Sequence, residues 1–166
     1  MQQYDVIILS GGVSEGKFDY IPKALDECGV KKLFHKVQQR PGKPFWFGKN
    51  DKGVLVFALP GNPVSAFMCL HRYLLSWLEK SLGVRKQNLY AVLNEDFTFT
   101  PKLQYFLQVK LHVDQKGCLI ATPVEGNGSG DFANLAATNA FMELPLERNN
   151  FTKGEVFKIW TFVAIQ

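Results

Sequence analysis

Two apolar runs, each closed by a glycine turn and followed by helical spacing, constrain this chain more than anything else in it. Asp5-Val6-Ile7-Ile8-Leu9-Ser10 leads into Gly11-Gly12, and Val54 to Leu59 leads into Pro60-Gly61-Asn62-Pro63. Runs that are apolar throughout and rich in β-branched residues have the form of strands buried on both faces, which belong to sheets covered by helices. After the first run, Tyr20 to Cys28 puts Ile21, Ala24, Leu25 and Cys28 on one helical face, with Gly29 as a stop. After the second, Asn62 is a fitting N-cap and Pro63 suits the first helical position. Val64, Phe67, Met68, His71, Leu74, Leu75, Leu78 and Leu82 then keep helical spacing as far as Gly83. With shorter strands expected at Leu33 to Gln38 and Phe45 to Gly48, this succession predicts an α/β layer with parallel strands.

The pattern changes near Gly83. From Leu89 onward, short strand-like segments (Leu89 to Leu93, Leu103 to Val113, Cys118 to Thr122, Phe141 to Leu144, Val156 to Ile165) are separated by polar or glycine turns. That alternation predicts a small antiparallel barrel or sandwich, with a helical turn or two at Asp131 to Ala137. The chain thus divides into an α/β part over 1–83 and a β part over 84–166.

With 166 residues and 46% of them hydrophobic, the chain can bury a sizeable core without a metal or disulfides. Cys28, Cys69 and Cys118 form no CxxC pair, which suits a reducing compartment, and all three are expected as small core residues. No apolar stretch approaches the ~18 residues of a membrane span, and Met1 to Asp5 lacks the start of a secretory signal. A cytoplasmic protein without membrane partners is expected.

The net charge of +4 is local: up to Gly83 there are eleven basic and seven acidic residues, and beyond it eight of each. Lys31, Lys32, Lys36, Arg40, Lys43, Lys49 and Lys52 face a single acid, Asp51, between positions 31 and 52, a landing area for an anion. With no zinc-finger spacing and no repeating basic arm, the excess does not point to nucleic acid.

Several segments carry candidate chemistry. Gly11 and Gly12 let backbone approach a ligand, and Ser14 and Asp19 can hydrogen-bond to one or hold a divalent metal; Asp19 as the N-cap of the next helix is the other reading. Pro60, Gly61, Asn62 and Pro63 lie where a strand meets a helix, the place at which α/β sheets bind ligands. Lys36 and Arg40 share a strand face if the strand continues that far, and two converging cations repel unless an anion joins them. Ser129, in the glycine-rich loop Val124 to Asp131, can donate to an anion. His35, His71 and His112 have no zinc spacing, and the chain contains no Walker loop, GxGxxG or Gly-x-Ser-x-Gly.

Taken in order, Asp5 to Tyr20 with its Gly11-Gly12-Val13-Ser14 and Asp19, then Arg40-Pro41-Gly42-Lys43-Pro44, then Leu59-Pro60-Gly61-Asn62-Pro63-Val64-Ser65-Ala66 resemble the molybdopterin molybdenumtransferase family, which includes the carboxy-terminal domain of gephyrin. Gly128-Ser129-Gly130 and Leu135-Ala136-x-x-Asn139 extend the resemblance more loosely. It implies a carboxy-terminal fragment: the second half of an α/β molybdopterin-binding domain, followed by a β-barrel domain. It further implies insertion of molybdate into adenylylated molybdopterin with release of AMP, assisted by Mg2+, in a homodimer. By the same resemblance, Asp19 serves the cation or the pterin nucleotide, Lys36 and Arg40 the molybdate or phosphate, Pro60 and Pro63 the adjoining loop, and Ser129 reaches in from the barrel. Arg40 stands where the family often has lysine, and Gln108 where it commonly has arginine. A non-catalytic binding or scaffold module is the alternative.

Overall fold

The computed structural model describes residues 3–14, 19–124 and 133–163. The first half runs β1 (Val6–Ser10), α1 (Ile21–Glu27), β2 (Val30–His35), β3 (Gln39–Arg40), β4 (Trp46–Asn50), β5 (Leu55–Leu59) and α2 (Pro63–Cys69). The last of these continues through a π-helical stretch, Leu70–Leu75, into α3 (Ser76–Ser81), making one long helix. The second half holds β6 (Leu89–Leu93), β7 (Phe97–Thr98), β8 (Gln104–Val113), β9 (Leu119–Pro123), α4 (Ala133–Ala137), β10 (Ala140–Leu144), β11 (Asn150–Phe151) and β12 (Val156–Thr161).

The two apolar runs are neighbours, β1 and β5, paired in parallel from Val6↔Leu55 to Ser10↔Leu59. Within this four-stranded sheet parallel pairing is confined to them among the described residues: the order is β1-β5-β4-β2, and β4 is antiparallel to both β5 and β2. The reason is connection length. Only Asp51 to Val54 separate β4 from β5, and so short a link can join antiparallel strands but cannot make a crossover. Side-chain alternation along β5 sends Val56 and Ala58 to a core with Val13, Leu25, Val30 and Trp46, and Phe57 and Leu59 to a second core under the long helix. Both faces of β5 are therefore covered, as its uninterrupted apolar run requires, whereas β1, at the edge of the sheet, has no fully buried residue and leaves Ile8 52% exposed, contrary to the expectation of burial on both faces.

In the second half, the order β10-β12-β6-β9-β8 closes through an additional β10–β8 pairing, giving a five-stranded barrel. Its strands are antiparallel except for β6 and β9, which pair in parallel. The barrel has its own core, including Leu93, Val109, Ala121 and Met142. Phe106 and Phe141, however, point out of it into the core beneath the long helix, beside Phe45, Met68 and Leu74. At roughly 2–3 kcal/mol per fully buried side chain, these two rings tie barrel to sheet. The two-residue strand β3 adds a backbone tie, pairing in parallel with β8 at Gln39↔Gln104 and Arg40↔Tyr105.

Of the three cysteines only Cys69 is buried; Cys28 and Cys118 are exposed, contrary to the expectation of three core residues. Cys28 caps the end of α1 and Cys118 follows the Gly117 turn, so neither faces a packed layer. Among the described residues, no helix is long and apolar enough to cross a membrane.

Candidate functional site

Strand directions assemble the site. β1 and β5 are parallel, β4 opposes β5, and β2 opposes β4, so β1, β5 and β2 all run the same way. Their carboxyl ends, at Ser10, Leu59 and His35, lie on one rim, and each opens into a segment singled out from the sequence.

At this rim the first two loops touch. The amide of Gly11 donates to the Leu59 carbonyl at 3.0 Å. A Cβ built on Gly61 would stand 3.4 Å from the Gly11 Cα, so the two backbones are in van der Waals contact. Gly11 and Gly12 adopt φ of 88° and 67°, which glycine enters without steric cost. A side chain at Gly12 would also meet Ile21 at 2.9 Å. The turn brings Val13 back into the core, where its carbonyl accepts from His35 Nε2 at 2.8 Å and so links the first loop to the end of β2.

Ser14 Oγ donates to Asp19 Oδ2 at 2.5 Å. The cap position of α1 is Tyr20, with no side-chain capping bond, so the Asp19 carboxylate lies ahead of the helix beside Ser14. Asn62 is the N-cap of α2, as its type suggests: Oδ1 accepts from the Ser65 amide at 2.9 Å and from Ser65 Oγ at 3.1 Å, with Pro63 at the first position. Pro60 is buried and Gly61 exposed, which fixes the loop while leaving its outer backbone accessible.

Lys36 and Arg40 do not share a strand face. β2 ends at His35, and Lys36 takes a φ of 70°, a left-handed conformation uncommon for a side-chain-bearing residue. The chain then turns back, with the Lys36 amide donating to Phe45 O at 3.0 Å and Val37 to Lys43 O at 2.8 Å. Arg40 belongs to β3, and its guanidinium stands 6.0 Å from the ring centroid of Phe99 in the barrel. Lys36 is thus a rim residue, whereas Arg40 lies in the connection of the β2–β4 hairpin, residues 36–45, where this hairpin meets the barrel. Ser129, Gly128 and Gly130 lie outside the described residues. Gln108 has a buried Oε1 with no hydrogen-bond partner among the described residues.

Sequence reasoning missed the polar seam that holds the hairpin. Gln39 is buried; its Nε2 donates to Pro41 O at 3.1 Å, and its Oε1 accepts from the Tyr73 hydroxyl of the long helix. Gly42 packs so closely that a Cβ there would come within 2.6 Å of Cys69 Sγ. Burial pushes the Cys69 thiol up to about 12, against a smaller lowering from its Gln39 contact, and burial likewise raises the Tyr73 phenol to about 12. Both are neutral at ordinary pH. Farther along the seam Glu143 accepts from Trp160 Nε1 at 2.7 Å and from Gln104 Nε2 at 2.5 Å, with Arg72 at 3.6 Å. A carboxylate in the otherwise apolar run Phe141-Met142-Glu143-Leu144 was the available sequence signal for that hub.

Residues 1–80 match the family described as "Probable molybdopterin binding domain", and residues 90–162 the family described as "MoeA C-terminal region (domain IV)". Over 161 residues the chain is 41% identical to a molybdopterin molybdenumtransferase of Synechocystis, covering 96% of this chain and 39% of that protein. It is 32% identical to the Bacillus subtilis protein of the same name, covering 96% of this chain and 37% of that protein. Among solved structures, a molybdopterin biosynthesis MoeA protein from Pyrococcus horikosii superposes with a TM-score of 0.75 at 25% identity, over 98% of this chain and 38% of that one. The chain therefore spans about two fifths of the length of these relatives.

Proposed function

Because this chain belongs to the molybdopterin molybdenumtransferase family, we propose that its rim binds adenylylated molybdopterin and molybdate, and that the reaction inserts molybdate into the pterin with release of AMP. The observation that supports it is the gathering of three loops, at Gly11 to Ser14, Lys36, and Pro60 to Asn62, at the same carboxyl-terminal edge. Cleaving a phosphoanhydride and moving an oxyanion chiefly require neutralised charge and fixed geometry. Lys36 supplies the cation at that edge, the Gly11 to Gly12 and Pro60 to Gly61 backbones allow close approach of phosphate, and Ser14 orients the Asp19 carboxylate. Arg40, from the barrel side of the hairpin, meets the distal part of the substrate, and Ser129 completes the anion contacts.

Mg2+ fits this donor set in one manner. No cluster of three or more His, Cys, Asp or Glu side chains is found among the described residues, so a chelating cage does not exist there. Mg2+ is commonly held by one or two carboxylates together with substrate phosphates and waters, and Asp19 at the loop edge suits that arrangement. When bound, the ion would neutralise charge developing on the departing phosphate. A homodimeric full-length enzyme acting in the cytoplasm, with the division between domains near Gly83, completes this reading.

The experiment is to supply adenylylated molybdopterin, molybdate and Mg2+ and to follow both nucleotide binding and AMP release. Asp19→Asn and Lys36→Ala are each expected to lower binding or release at least about tenfold. Undiminished binding and release in both variants would overturn the assignment.

A further inference from the structure

A second concave site lies elsewhere on the molecule. A cleft of about 500 Å³ opens between the later turns of the long helix, the connector to the barrel, and β12. The helix starts at the rim with Pro63 and runs away from it, so at ~1.5 Å per residue Arg72 and Lys80 lie roughly 13 and 25 Å farther along.

The cleft is strongly electropositive. Arg72 and Lys80 come from the helix, Arg85 and Lys86 from the connector, and Lys158 from β12, against one lining carboxylate, Glu79. Glu79 is taken up by Lys86 at 3.0 Å. Glu143, behind the wall, reaches Arg72 at 3.6 Å while also accepting from Trp160 and Gln104. Five cations against these two carboxylates leave a surplus of three. His71 adds no charge at neutral pH, because burial, reinforced by Lys86 and opposed by Glu79, lowers its pKa.

Two further observations point to an absent anion. The Arg72 Nε is buried and has no hydrogen-bond partner among the described residues, an uncommon state for a guanidinium donor. Arg72 and Lys158 also crowd one indole, at 4.6 and 4.3 Å from the Trp160 ring centroid, where their like charges oppose each other. Burial lowers the Lys158 pKa, and Arg72 and Lys80 lower it further against the opposing pull of Glu143.

We propose that this cleft binds a phosphate-bearing small anion of the di- or triphosphate class, clasped by Arg72 and Lys80 of the helix, Arg85 of the connector and Lys158 of the barrel. The volume suits a small molecule. The charges come from three walls of one cleft, which a linear polyphosphate can bridge and a single carboxylate cannot. Such a ligand would join the helix to the barrel at a distance from the rim.

Calorimetric titration of the chain with inorganic tripolyphosphate tests this, with ATP as a second arm. Binding of micromolar affinity is expected, weakened by added salt and told apart from binding at the rim by the variants that follow. Arg85→Glu and Lys80→Gln, both at exposed positions, should each weaken it about tenfold, while Lys36→Ala on the rim leaves it unchanged. Tripolyphosphate and ATP binding alike shows that the phosphates suffice; ATP binding with tripolyphosphate silent overturns the assignment to phosphate contacts. Absence of heat with either ligand at millimolar concentration also overturns the proposal. So does binding that Lys36→Ala removes and Arg85→Glu spares, an outcome that places the anion at the rim and leaves the reading of the rim intact.

Discussion

The rim and the seam are both polar, yet they are built in opposite ways. At the rim, Ser14, Lys36 and Gly61 are exposed and the loops are shaped by backbone: positive φ at Gly11, Gly12 and Lys36, and bare backbone contact between Gly11 and Gly61. At the seam, Gln39 and Cys69 are buried, Tyr73 and Glu143 largely so, and each has a polar partner in the hairpin, the helix or the barrel. The difference separates two jobs. Buried polar groups cost free energy when unpaired, so the seam holds the hairpin in one geometry. The rim instead keeps its polar side chains at the surface, where pairing them costs and gains little.

The largest expected effect tests whether the seam is one core. Phe141 is fully buried between barrel and helix, and Phe141→Ala should cost about 3–5 kcal/mol, with both halves unfolding in a single urea transition. Two separate transitions in the unmodified chain would break the comparison at its base.

Next comes Gly42→Ala. The added Cβ would meet Cys69 Sγ at 2.6 Å and Gln39 Nε2 at 2.8 Å, at a φ of 91°, so overpacking and backbone strain together should cost about 2–4 kcal/mol. An effect below about 1 kcal/mol, measured by thermal unfolding, would mean that the hairpin is not pinned there.

Tyr73→Phe removes one buried hydrogen bond to Gln39 and should cost about 1–2 kcal/mol. The same site gives a pH signature. The Tyr73 phenol and the Cys69 thiol both titrate near 12 in the folded chain, raised from 10.0 and 9.0. A group whose pKa is raised by folding contributes its stability in full below its unfolded pKa and loses it as pH climbs through the folded value. Stability should hold up to about pH 9 and fall toward pH 12, and Tyr73→Phe should flatten the part of that fall above pH 10. An alkaline decline identical in the two proteins would contradict the seam's part in it.

How much of this was legible in the sequence follows from range. β1, β5 and the Asn62-Pro63 helix start are written in contiguous residues, and local pattern specified them. The reversal of β4 against its neighbours hinges on its short link to β5, and the apolar runs of β1 and β5 masked its meaning. The pairing of Gln39 and Arg40 with β8 spans some 65 positions and leaves no local mark, so Lys36 and Arg40 looked like one strand face. Neither the left-handed turn at Lys36 nor the cationic cleft beside Trp160 was legible, because lysine does not favour the former and the latter draws its charges from three distant segments.

The smallest stability effect belongs to the rim. Ser14→Ala should change stability by less than about 0.5 kcal/mol, since its bond to Asp19 is exposed, while weakening nucleotide binding several-fold. A variant that lost stability as the seam variants do would erase the distinction between the two regions.

Amide hydrogen exchange, with and without adenylylated molybdopterin, reads the gathering of the loops directly. Added nucleotide is expected to slow exchange together in the segments 10–14, 35–37 and 60–65, with no change along the connector at 84–89. Slowing in only one of the three rim segments, or along the connector instead, would contradict a shared site at the sheet's carboxyl-terminal edge.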